Sequence, residues 1–138
     1  MAATMVSQRE IPILVEDDVI LVRRAVRELA QAHRFDVFAL AALTTATSEL
    51  TRNVWVHARR GVAIVEEVAN GSRRGIRVTF RDQGPGIADM PRAMAGGYST
   101  AGSMGLGLSG SKRLVDEFDV QSIAGQGTTV EIVKWKPI

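Results

Sequence analysis

The stretch "GIRVTFRDQGPGI", Gly75–Ile87, changes character half-way along. Its first half alternates Ile76, Val78 and Phe80 with Arg77, Thr79 and Arg81, the period of a strand with one buried face. The second half is a carboxylate, Asp82, followed by Gly84, Pro85 and Gly86. A strand thus ends on an acid and runs into backbone that must bend sharply or let something come close. Glycine continues beyond it, since Arg81 to Gly110 holds eight of the chain's thirteen. A disordered linker, a set of turns and a loop system around a ligand are all compatible with that count.

The elements on either side narrow the choice. Upstream, "GVAIVEEVA" from Gly61 is joined to this strand by Asn70-Gly71-Ser72-Arg73 and predicts a hairpin. Before it, Asp36 to about Ala58 contains no Gly or Pro and is rich in Ala and Leu, which predicts a long, heavily buried helix. Val19, Val22, Val26 and Leu29 share one stripe after Asp17 and Asp18, so a first helix is expected at about 18–33. "REIPILV", Arg9–Val15, predicts an edge strand because Pro12 is tolerated there. Downstream, "LSGSKRLVDEF" (108–118) predicts a third helix, and "DVQSIA", Gly125-Gln126-Gly127 and "TTVEIVKW" a last hairpin. Hairpin-linked strands with helices grouped between them imply an α+β two-layer sandwich on a mainly antiparallel, mixed sheet with helices on one face. A chain of 138 residues fits a single domain, 1–138.

Composition excludes several function classes. Seventeen basic against fifteen acidic residues, with no long Lys/Arg run, argue against nucleic acid as a partner. The absence of cysteine removes thiolate catalysis, disulfides and Cys-type zinc sites. No apolar stretch has the length of a signal peptide or a membrane span, so a cytoplasmic protein without a membrane partner is expected.

Three constellations carry chemistry. On the long helix, Glu49, Asn53 and His57 are spaced by four and project from one face. That stripe is either a solvated face or a carboxylate and an amide in a partly buried groove, where Mg²⁺ with its waters and phosphates would satisfy them. Asp82 with Gly84 and Gly86 is either a tight turn or a carboxylate that reads an exocyclic amine while glycine backbone approaches a flat ring. "GLGLSG", Gly105–Gly110, precedes the third helix and offers N–H groups to phosphate oxygens. It has no βαβ context, and Ser111 separates Gly110 from Lys112, so it is neither a dinucleotide fingerprint nor a Walker A loop. His57 alone makes no metal site, and Lys112 and Arg113 suit a solvated or partner-facing surface.

Taken together, Glu49-x-x-x-Asn53, Asp82-x-Gly84-x-Gly86 and Gly105-x-Gly107 resemble the N, G1 and G2 boxes of the GHKL (Bergerat-fold) ATPases, with Gly127-Thr128 matching the Gly-Thr near that family's last strand. The wording from Asp82 to Val120 is similar to the RsbT group of serine-protein kinases of bacterial stress-response partner switching. The resemblance implies ATP and Mg²⁺ as cofactors, Asn53 on the metal, and Glu49 orienting or deprotonating the acceptor hydroxyl. It further implies Asp82 on the adenine amine with Thr128 supporting it, and Gly84, Gly86 and Ile87 shaping the base pocket. Gly105, Leu106, Gly107 and Leu108 would lie around the phosphates, under a lid at about 88–104. The implied partners are a STAS-domain protein substrate and, through binding, a PP2C-type phosphatase. An anti-sigma factor or nucleotide-gated binding module of the SpoIIAB/RsbW type is the alternative.

Overall fold

The computed structural model describes residues 3–87, 94 and 104–137. Its elements run β1 (Thr4–Ile13), α1 (Asp18–Ala32), α2 (Val37–Ala58), β2 (Gly61–Asn70), β3 (Arg73–Asp82), α3 (Met104–Leu114), β4 (Glu117–Ile123) and β5 (Gly127–Trp135). The strands form one sheet in the order β1-β2-β3-β5-β4. All four pairings are antiparallel, so the parallel component implied by a mixed sheet is not found among the described strands.

Strand alternation sorts the side chains into two faces. Ala63 and Val65, Ile76, Val78 and Phe80, and Val130 and Ile132 join the helices' buried residues in one core. The α+β two-layer expectation therefore holds, with α1 and α2 packing on that face. The opposite face carries Glu66, Arg77, Thr79 and Glu131, and there Arg77 grips Glu66 through two bonds of 2.9 and 3.0 Å. Buried Ile64 and a small apolar cluster of Val68, Val133 and Trp135 interrupt this polar surface.

Local chemistry sets the element ends. The Asp36 carboxylate accepts the Ala39 N–H at 2.7 Å, capping the first turn of α2. At the other end Arg59 takes a left-handed φ of 68°, and its N–H returns to the Val54 and Trp55 carbonyls. Asp18 does not cap α1; its carboxylate accepts the N–H groups of Leu14 and Val15 at 2.8 and 3.0 Å. This pulls Leu14 and Val15 out of the ladder, so β1 ends at Ile13 rather than Val15 and begins earlier, at Thr4.

The third helix departs most from expectation. It begins at Met104, not Leu108, and ends at Leu114, leaving Phe118 in β4 opposite Ile132. Tertiary contacts decide the boundary: the Asp116 N–H donates to the Val133 carbonyl at 3.0 Å, and its carboxylate accepts the Trp135 N–H at 2.7 Å. Further along, Leu108 and Ser111 are each 1 % exposed, and the packing of α3 against α2 outweighs the poor helix propensity of its glycines.

Phe80, 1 % exposed, lies where α2 crosses β3. Phe80→Ala should cost about 3–5 kcal/mol of unfolding free energy, read from the urea midpoint at an unchanged m-value. Asp36→Ala should cost about 1 kcal/mol in the same measurement.

Candidate functional site

Three elements converge where β3 ends. Leu50, Asn53 and Val54 of α2, Phe80 and Asp82 of β3, and Thr128 and Val130 of β5 line one cavity, closed by Ile87 and Leu108. Six of the residues expected at the site from sequence therefore meet: Asn53, Asp82, Ile87, Leu108, Thr128 and, just outside, Gly84. The cavity is about 20 Å³, room for roughly one water. That is far less than the volume of a typical small-molecule pocket. A wider depression of about 500 Å³ also touches Asp82 but not Asn53, and neither Glu49 nor His57 lines it or the smaller cavity.

Asp82 is placed by backbone. It stands opposite Gly61 in one ladder and Thr128 in the other, and its Oδ1 accepts the Gly84 N–H at 2.8 Å. Gly84 packs so closely on Ala58 that a Cβ would lie 2.6 Å from the alanine methyl. Gly86 has φ +75°, and a Cβ there would meet the Ile123 carbonyl oxygen at 2.5 Å. Only glycine serves at this place, because the turn is both left-handed and pressed against the β4–β5 connection. The Pro85 carbonyl accepts the Gly125 N–H at 2.7 Å across the same contact.

Sequence reasoning missed Ser122. Its hydroxyl accepts the Ile87 N–H at 2.7 Å, donates to the Gly127 carbonyl at 3.2 Å and shares a 2.9 Å bond with the Thr128 hydroxyl. Ser122 thereby ties both sides of the pocket to the last hairpin. The available signal was a hydroxyl in step with Phe118 and Val120 on the inner face of β4, where an apolar residue is expected.

The α2 stripe is graded in burial. Glu49 is exposed at the outer end, while Asn53 and His57 are half-buried. Asn53 Nδ2 and His57 Nε2 are shielded from solvent and have no hydrogen-bond partner among the described residues. An amide held in that state fits a ligand-facing role, with its oxygen offered to a cation or its N–H₂ to a phosphate. No cluster of three His, Asp or Glu among the described residues could cage a metal. A Mg²⁺ held here would thus rely on Asn53, water and nucleotide phosphates, the usual habit of that ion.

Gly105, Leu106 and Gly107 lie in the first turn of α3 rather than before it. The first N–H groups of a helix lack intrahelical acceptors and suit an anion. The expected lid at 88–104 falls outside the described residues except for Met94, which packs on the core, and Met104.

Residues 12–134 match the model of the histidine kinase-like ATPase domain. The chain belongs to that family. Among its members this ATPase domain is 40% identical over 131 residues to the serine/threonine-protein kinase RsbT of Bacillus subtilis, covering 95% of this chain and 98% of that one. It is 29% identical over 102 residues to an anti-sigma F factor of Thermoanaerobacter, covering 70% of each. The crystal structure of the RsbU and RsbW domains of a Mycobacterium tuberculosis protein superposes with a TM-score of 0.64 at 18% identity, over 96% of this chain and 34% of that one. That likeness supports the shared ATPase-domain fold.

Burial pushes the His57 imidazole below its ordinary 6.5, against an opposing pull from the Asp82 charge. Protonation is therefore harder in the folded than in the unfolded chain. The stability tied to neutral His57 is complete above about 6.5 and declines as pH falls below it. An NMR titration should place the His57 midpoint under 6.5; a midpoint above that value would mean that Asp82 outweighs burial.

Proposed function

We propose that this chain is an ATP-dependent protein serine/threonine kinase of the RsbT kind, which phosphorylates a STAS-domain antagonist and switches partners in bacterial stress signalling. The observation that carries this reading is the meeting of Asn53, Asp82 and Thr128 at one cavity, in a chain 40% identical along nearly its whole length to the serine/threonine-protein kinase RsbT of Bacillus subtilis. Activation of a PP2C-type phosphatase by binding belongs to the same proposal, as does a cytoplasmic location, where ATP is supplied.

Asp82 accepts a hydrogen bond from the adenine amine, with Thr128 beside it in the neighbouring strand. Gly84 and Gly86 let the base lie against backbone, and Ile87 and Leu108 close over it. The first turn of α3, at Gly105 to Gly107, offers backbone N–H groups to the phosphates. Asn53 holds Mg²⁺, which when bound neutralises charge on the phosphate oxygens. Glu49, exposed one turn away, meets an incoming serine or threonine hydroxyl and accepts its proton as the hydroxyl oxygen attacks the γ-phosphorus, whose bond to the β–γ bridging oxygen breaks to release ADP. Phosphoryl transfer requires little beyond such positioning and charge neutralisation.

The test is transfer of label from γ-labelled ATP to a small protein of the host lysate. Glu49→Gln should lower turnover by about 10²- to 10⁴-fold at similar ATP affinity, and Asn53→Ala should abolish Mg²⁺-dependent transfer. Undiminished turnover in the Glu49 variant would remove it as the base. Tight ATP binding with no labelled protein would favour a nucleotide-gated binding module.

A further inference from the structure

One polar row crosses three neighbouring strands at the end of the sheet. Asp82 of β3 stands opposite Thr128 of β5, and Thr128 stands opposite Ser122 of β4. Asp82 and Thr128 line the cavity, whereas Ser122, one strand further out, does not. Ser122 Oγ has three neighbours within bonding distance: the Ile87 N–H at 2.7 Å, the Thr128 hydroxyl at 2.9 Å and the Gly127 carbonyl at 3.2 Å. A serine hydroxyl has one hydrogen and two lone pairs. The Ile87 N–H takes one lone pair, and the carbonyl, which can only accept, takes the hydrogen. One lone pair remains for Thr128, so the hydrogen of the 2.9 Å bond is the threonine's. No other arrangement meets all three contacts. Among the described residues no bond joins Thr128 to Asp82, whose Oδ1 accepts the Gly84 N–H.

We propose that Ser122 is a positioning residue for base recognition: it draws the Thr128 hydrogen away from the cavity, so that Thr128 and Asp82 both face the base as acceptors. Without that partner the threonine would turn its hydrogen to the carboxylate opposite and occupy an oxygen that reads the amine. A wall of two acceptors suits an exocyclic amine, which carries two hydrogens, and opposes a base with a carbonyl at that place. The inference rests on the reading of Asp82 and Thr128 as the residues that meet adenine.

The experiment measures by calorimetry, with Mg²⁺, the affinities of ATP and of purine riboside 5′-triphosphate, which lacks the exocyclic amine. The wild-type protein should prefer ATP by about tenfold or more, the worth of a hydrogen bond to a charged group. Ser122→Ala should lower that preference by about three- to tenfold, and Ser122→Thr, which keeps the hydroxyl, should restore most of it. Loss of the Ile87 contact alone would weaken both nucleotides equally; that result, or an unchanged preference, overturns the role of Ser122. On top of Thr128→Val, Ser122→Ala should alter the preference no further, and an equal drop in both backgrounds overturns the route through Thr128. If the wild-type protein does not distinguish the two nucleotides, the reading of Asp82 and Thr128 itself fails and the inference falls with it. Should Ser122→Ala not fold, Ser122→Cys, whose thiol is a weak donor and acceptor, replaces it with the same outcomes expected.

Discussion

The approach of Gly127 to the end of β3 is the constraint on which the site depends. A side chain at 127 would collide with the Asp82 carbonyl and the Gln83 Cα, and the residue's φ of +137° suits glycine alone. Because β5 starts there, Thr128 falls opposite Asp82, and the next residues continue in register to Trp135. A bulkier residue would push β5 away and open the pocket between its two polar walls.

The second support comes from α2. Its long apolar stripe, from Ala39 through Leu43 and Leu50 to Val54, lies on the sheet and fixes the rotation of the helix. Once that rotation is set, the spacing of four carries the stripe from exposed Glu49 to half-buried Asn53 and His57, with Asn53 at the cavity wall. One packing interaction thus determines which polar group meets water and which is enclosed. The same helix ends against Gly84 through Ala58, so core packing and base-pocket geometry share a single rigid element.

The glycine-rich segment serves several purposes. Gly84, Gly86 and Gly127 allow backbones to touch where three elements meet. Gly105 and Gly107 instead lie in the opening turn of α3, where packing by Leu108 and Ser111 holds a helix that propensity alone disfavours. Of the described glycines of the run, Gly84 and Gly86 thus serve a tight turn and Gly105 and Gly107 a helix start.

Much was legible in the sequence because its signals are local. Alternation in Ile76–Phe80, the uninterrupted Ala- and Leu-rich run after Asp36 and the four-residue spacing of the polar stripe each specify geometry through neighbours in the chain. Tertiary structure alone decided what depends on distant partners. Asp116 bonding to Val133 and Trp135 ends α3 early, and Asp18 draws Leu14 and Val15 out of β1. Ser122 acquires its part by facing Ile87, which is 35 residues away in sequence. Periodicity reports which face a residue occupies, whereas only the folded sheet brings the end of β3, the start of β5 and the rim of α2 to one place.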